Sequence, residues 1–377
     1  MNVTVREAAA KTTPSRLRDK GAASRPAIVD CDIHPAYRAP TELFPFLSAR
    51  WREHMATFGE HLRHGLSGQL PYPRMMAAGM RVDAFPEEGP PGSDLALMQR
   101  QHLDPNGVER GMLMPLSKAG MEERNLEFAA ALASAVNEWQ LEAWISKEPR
   151  LRGGIVVPQE DAAFAVSEIE RRAPDPAFVQ ILLSPRTSDP LGHRRYWPIF
   201  AAAERANRPI GLHVQGYSGG HPSTPAGWPT YYMQEHYAMT SGMQTTLMSL
   251  VFEGVFERFP ALKVVLIEGG FAWAPAFCWR MDKHWERMRK ETPQVKRPPS
   301  EYVRRNVWFT TQPIEEPETP RHLGDIIDWI GWDRLLFSTD YPHWDFDDPR
   351  YAFKFTVDDD KRRMIFRDNA KALYGLG

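Results

Sequence analysis

Eight short apolar runs, many of them ending in polar or ionisable residues, constrain this chain more than any other feature of its sequence. They are PAIVDCDIH (26–34), VERGMLMP (108–115), RGGIVVP (152–158), FVQILLS (178–184), RPIGLHVQ (208–215), LKVVLIEGG (262–270), RNVWFTTQ (305–312) and RLLFSTDYPH (334–343). Near-continuous apolar runs of strand length, with longer helical segments between them, are the pattern of a parallel sheet whose two faces are both covered. Eight such strands match a closed barrel, so the predicted fold class is α/β, a (β/α)8 TIM barrel forming a single domain with a lid insertion after strand 1.

The intervening segments support this. Residues 125–145, 246–259 and 271–290 carry apolar side chains at three- and four-residue intervals beside charged ones, as amphipathic helices outside a sheet do. Residues 36–106 are too long for one crossover and rich in Pro, Gly, Arg and Met, so they read as an insertion of loops and helices over the barrel mouth. Residues 26–377 form the barrel unit, and the basic, Ser/Arg-rich residues 1–25 read as a flexible N-terminal extension in preference to a targeting peptide.

Composition serves mainly to exclude. A net charge of -2 without a Lys/Arg stripe offers no footprint for nucleic acid or for an anionic membrane surface. No stretch approaches the roughly 20 apolar residues of a membrane span. The two cysteines, Cys31 and Cys278, make no disulfide framework and have no CxxC spacing. The expectation is a cytoplasmic protein acting on a small-molecule substrate and assembling as a homo-oligomer.

In a barrel of this kind, side chains at the C-terminal ends of the strands converge on the active site. The first strand ends in Asp30-Cys31-Asp32-Ile33-His34, where alternation puts Asp30, Asp32 and His34 on one face. Carboxylate oxygen and neutral imidazole nitrogen are ordinary ligands of a divalent cation, although strand-end caps and a half-buried histidine account for the same residues. His213 closes the fifth run between apolar neighbours, and a satisfied core histidine is the plainer account of it alone. Asp340 ends the eighth run with a carboxylate that is costly there unless paired. An N-cap is its alternative, but the acidic stretch Asp345–Asp348 already stands where the next helix should begin. Groups able to bind metal at the mouths of strands one, five and eight together make a stronger signal than any one of them.

The chain resembles the amidohydrolase superfamily, in the amidohydrolase-2 branch that includes aminocarboxymuconate-semialdehyde, γ-resorcylate and 5-carboxyvanillate decarboxylases. The matching pieces are Val29-Asp30-Cys31-Asp32-Ile33-His34, Gly211-Leu212-His213, Gly254 to Pro260 running into Leu262-Lys263-Val264-Val265, Glu268-Gly269-Gly270, Phe337 to His343, and the closing Asn369 to Gly375. The resemblance implies one divalent metal ion held by Asp32, His34, His213 and Asp340. Two departures qualify it. Asp32 stands where the usual HxH motif has its first histidine, which shifts the expectation from zinc toward manganese or magnesium without excluding zinc, so the expected ion is Mn2+ or Zn2+, with Mg2+ or Fe2+ behind them. Glu268 stands where many relatives carry a histidine, so a role in hydrogen-bonding substrate or orienting a metal-bound water competes with a simple pairing to arginine. The lysine that bridges two metals in other relatives has no counterpart in the fourth run.

The same residues suit two reactions. In non-oxidative decarboxylation of a small aromatic or enoic acid, Asp340 delivers a proton to the carbon that loses carbon dioxide. In hydrolysis of an amide, ester or lactone, Asp340 takes a proton from water. The catalytic candidates are Asp340, His213 and Glu268. Arg81, His343 and Trp344 are the candidates for binding substrate, with Arg74, Arg186, Trp228, Tyr231, Tyr232 and His236 behind them. A non-catalytic ligand-binding barrel is a third reading, disfavoured because every ligand position holds a residue able to bind metal.

Overall fold

A computed structural model describes residues 27–59, 79–116, 120–121, 123–214, 224 and 226–377. The extension predicted over residues 1–25, Arg74 and part of the insertion lie outside the described residues. Eight parallel strands form one sheet in the order β1 to β8: β1 (Ile28–Ile33), β2 (Val108–Leu113), β3 (Leu151–Val156), β4 (Phe178–Leu183), β5 (Ile210–His213), β6 (Val264–Ile267), β7 (Val307–Thr310) and β8 (Leu335–Leu336). Each coincides with a predicted run, because strands covered on both faces read as near-continuous apolar stretches. The barrel closes through Cys31 N–H donating to Phe337 O at 3.0 Å, Asp340 N–H to Asp32 O at 3.1 Å and His34 N–H to Tyr341 O at 2.8 Å.

The eighth run is a regular strand only at its first residues. The backbone turns left-handed at Asp340 (φ 63), and no helix follows until Asp359–Arg363, capped by Asp358. The acidic stretch therefore does not start a helix. Asp345 accepts from His236, Asp347 accepts from the Ile314 N–H, and Asp348 clamps Arg350. Of the predicted helices, 125–145 is Leu126–Trp139 continued by a wider turn at Gln140–Ile145, and 271–290 contains Ala274–Met288. The segment 246–259 is the end of a longer helix, Tyr232–Phe252, followed by the short helix Val255–Arg258.

The described parts of the insertion divide in two. Tyr37 and Trp51 set their rings 5.7 Å from Trp139 and 5.1 Å from Phe128, so the first part covers the outer face of the helix Leu126–Trp139. Residues 79–103 lie instead along the segment after β8, where Arg81 N–H donates to Pro342 O and Trp344 N–H to Gly79 O. At the chain's end, Asn369 Nδ2 donates to Trp332 O and Leu335 O, and the Tyr374 hydroxyl donates to Gln180 Oε1 in β4 at 3.1 Å. Gly211 makes room for that pair, since a Cβ there would stand 2.7 Å from Gln180 Oε1. Among the described residues no helix is long and apolar enough to cross a membrane.

Candidate metal centre

Side chains from the ends of β1, β5 and β6 and from the segment after β8 meet at one end of the barrel. Of the three residues expected on one face of the first run, Asp32 and His34 reach the meeting point. Asp30 is consumed elsewhere. Its Oδ1 accepts from the Thr339 and Asp32 N–H groups, and its Oδ2 accepts from the Thr339 hydroxyl at 2.6 Å and from His102 Nε2 at 2.7 Å. Asp30, His102 and Thr339 are fully buried, so this knot ties residue 102 and the chain next to Asp340 to the first strand. Replacing His102 by Ala leaves a buried carboxylate short of one charge-assisted partner. It is expected to cost about 2–4 kcal/mol of stability in urea unfolding. An unchanged midpoint would mean that the knot is not structural.

The donor atoms of Asp32, His34, His213 and Glu268 all lie within 4.8 Å of one another, and His34 also belongs to a second such group with Asp340 and His343. His34 Nδ1 donates to Met114 O at 2.9 Å, which leaves Nε2 facing Asp340 Oδ1 at 2.7 Å and Asp32 Oδ1 at 3.1 Å. His213 Nε2 stands 3.1 Å from Glu268 Oε2 and 3.6 Å from Asp32 Oδ2. Both Asp32 oxygens, His34 Nε2 and both His213 nitrogens are buried with no hydrogen-bond partner among the described residues. Orphaned buried donors are rare because each costs about 1–3 kcal/mol. Four of them, the Asp32 oxygens, His34 Nε2 and His213 Nε2, converge at separations typical of atoms sharing one coordination shell and fit a divalent cation.

The backbone is held in unusual form at two of these residues. Glu268 (φ 58) and Asp340 (φ 63) are left-handed, as Asn207 alone is among the other described non-glycine residues. Each such conformation costs on the order of 1–3 kcal/mol and tends to collect at functional sites. Glu268 N–H is held by the Thr310 hydroxyl at 3.0 Å.

Burial disfavours charge throughout the cluster, and the partners decide the outcome. At Asp32, His34 and His213 outweigh burial and hold the carboxyl below its usual range. At Asp340, His343 and His34 do the same, further. Burial, reinforced by Asp340, raises Glu268 above its usual value. Burial opposes protonation of the imidazoles, yet Asp32 and its neighbours raise His34 well above normal and push His213 up to about 9.

Around this cluster, His343 Nδ1 pairs with Asp340 Oδ1 at 2.5 Å, and its ring lies 4.4 Å from that of His34. Trp344 is exposed and donates to the Tyr232 hydroxyl at 3.1 Å. The Arg81 guanidinium is engaged by Asp83 at 2.8 and 3.0 Å and lies over the Phe346 ring, so it is not brought into the donor cluster. Tyr231 is exposed. Gln312 was not anticipated: its amide donates to Asp340 Oδ2 at 3.1 Å and to Asp345 Oδ2 at 3.0 Å. The polar Thr-Thr-Gln ending of the seventh run was the signal for it.

A family model described as amidohydrolase matches residues 29–376. The γ-resorcylate decarboxylase of Polaromonas sp. is 28% identical over 286 residues, covering 73% of this chain and 85% of the relative. Among solved structures, a dihydroxybenzoic acid decarboxylase from Polaromonas sp., with bound manganese and the inhibitor 2-nitroresorcinol, superposes with a TM-score of 0.64 at 21% identity, covering 93% of this chain and 97% of that one. The 5-carboxyvanillate decarboxylase of Sphingomonas paucimobilis gives 0.67 at 20% identity, covering 93% and 99%.

Proposed function

The chain belongs to the amidohydrolase family, and from this we propose that it is a metal-dependent carboxy-lyase removing carbon dioxide, without oxidation, from a small aromatic acid. The observation that carries the reading is the convergence of four buried atoms without hydrogen-bond partners, both Asp32 oxygens, His34 Nε2 and His213 Nε2, with Asp340 beside them. Asp32, His34, His213 and Asp340 would hold one divalent ion, manganese or zinc ahead of magnesium or iron. The relatives' names support the substrate class. When bound, the ion supplies a template and a sink for negative charge on the substrate's oxygens.

The chain's own residues supply the proton. Asp340 is held ionised by His343 and His34, so the proton available to it is the one shared with His343 Nδ1. Delivered through Asp340 to the ring carbon bearing the carboxylate, that proton replaces carbon dioxide, and the electrons of the broken bond stay with the ring. Burial raises Glu268 above its usual value, which lessens its repulsion of a substrate carboxylate. Tyr231, Met233 and Tyr237, large apolar side chains exposed within one short stretch of the chain, support assembly of identical chains.

Elemental analysis of dialysed protein, followed by assay of hydroxybenzoates for released carbon dioxide, tests the proposal. About one equivalent of manganese or zinc and measurable gas release are expected. Metal without gas release, but with cleavage of amides or lactones, would convert the reading to hydrolysis. No metal after reconstitution would leave a ligand-binding barrel.

A further inference from the structure

The helix Tyr232–Phe252 brings a second polar group to the same end of the barrel. His236 Nε2 donates to Asp345 Oδ2 at 3.0 Å, and that oxygen also accepts from Gln312, which ties it to Asp340. Trp344 Nε1 donates to the Tyr232 hydroxyl at 3.1 Å, and this hydroxyl lies 3.5 Å from His236 Nδ1. The directions of donation are fixed at both ends. A carboxylate only accepts, so His236 carries a proton on Nε2, and an indole only donates, so Tyr232 accepts from Trp344 and keeps its own proton to give.

The gap between Tyr232 and His236 is too long for a settled hydrogen bond. The Tyr232 hydroxyl proton and His236 Nδ1 are therefore only weakly engaged with each other and can meet a third group. His236, Glu268 and Asp345 offer donor atoms within 4.8 Å of one another, and Glu268 reaches His213 at 3.1 Å, so this corner abuts the donor cluster. The rings of Trp344 and His236 are 5.6 Å apart, and those of Trp344 and Tyr232 6.4 Å, which makes the corner aromatic as well as polar.

We infer that Tyr232 and His236, backed by Asp345 and Trp344, form a second subsite that takes a phenolic oxygen of the substrate ring away from its carboxylate. A phenolic hydroxyl both donates and accepts. It accepts from Tyr232 and meets the imidazole in either protonation state, whereas a bare ring edge leaves both partners unsatisfied. The inference rests on the aromatic-acid reading above and adds what recognises the ring.

The test is calorimetric titration of the manganese-loaded protein with benzoate, meta-hydroxybenzoate and para-hydroxybenzoate, in which the hydroxyl cannot chelate the ion together with the carboxylate. Wild type is expected to bind one of the hydroxylated acids about tenfold more tightly than benzoate, the worth of one or two hydrogen bonds. In Tyr232→Phe and His236→Ala variants with unchanged manganese content, that ratio should fall toward one. The exposed Tyr237→Phe change should preserve it. Variants that keep the wild-type ratio would overturn the subsite, as would a wild type that binds benzoate equally well. If wild type binds none of the three acids, the aromatic-acid reading falls and takes the subsite with it.

Discussion

Asp340→Asn is expected to lower carbon dioxide release about a thousandfold or more, within the range of removing a general acid, and to lower manganese content as well. Asn is the informative replacement because Asp340 sits at φ 63. Asn tolerates left-handed backbone at least as well as Asp does. The side chain keeps its shape and its contact with Gln312 at 3.1 Å but loses the charge that faces His34 at 2.7 Å and His343 at 2.5 Å. His343→Gln separates the two roles. It leaves the proposed ligands intact, so metal content should stay near wild type while turnover falls. An Asp340→Asn protein with full metal and turnover within tenfold of wild type would remove Asp340 from both roles.

The fold was legible because burial on both faces makes a strand largely apolar, and all eight runs show it despite single polar residues, even β8 with its two regular residues. The proposed metal ligands were legible for the converse reason: Asp32, His213 and Asp340 interrupt runs that would otherwise exclude them. What the pattern could not carry is backbone conformation. Nothing in Leu-Ile-Glu-Gly or Ser-Thr-Asp-Tyr announces left-handed residues at Glu268 and Asp340, yet those turns aim the two carboxylates. Alternation also could not show that Asp30 serves Thr339 and His102, because the register between β1 and β2 shifts between Asp30 and Ile33. The beginning of Tyr232–Phe252 was missed because its first turns, which carry Tyr232 and His236, have no continuous apolar stripe; the buried side chains lie mainly from Met243 onward. The resemblance to a known family supplied the ligand set, while the buried orphaned atoms are an independent reason to believe it.

Metal affinity should rise steeply with pH. Without an ion, protons balance the buried carboxylates: His213 is pushed up to about 9 and His34 is raised well above normal, chiefly by Asp32 against the pull of burial. A metal ligand must be neutral imidazole, so binding has to displace those protons. Each displaced proton makes the apparent affinity for manganese change about tenfold per pH unit below the imidazole's pKa. Raising pH from 6 to 8 should therefore tighten binding roughly a hundredfold through His213 alone and further through His34, levelling off near the value of about 9. Asp340, already ionised, contributes nothing over this range. The sign for stability runs the other way in metal-free protein. A histidine whose folded value lies above its unfolded one stabilises the fold fully below about 6.5 and loses that contribution as pH rises through about 9. Metal-free protein should thus soften over that window, and manganese-loaded protein should not. Titration with manganese in buffers of different ionisation enthalpy counts the protons directly. One to two released per ion near pH 7 is the expected result. None released would mean that His34 and His213 are not the ligands.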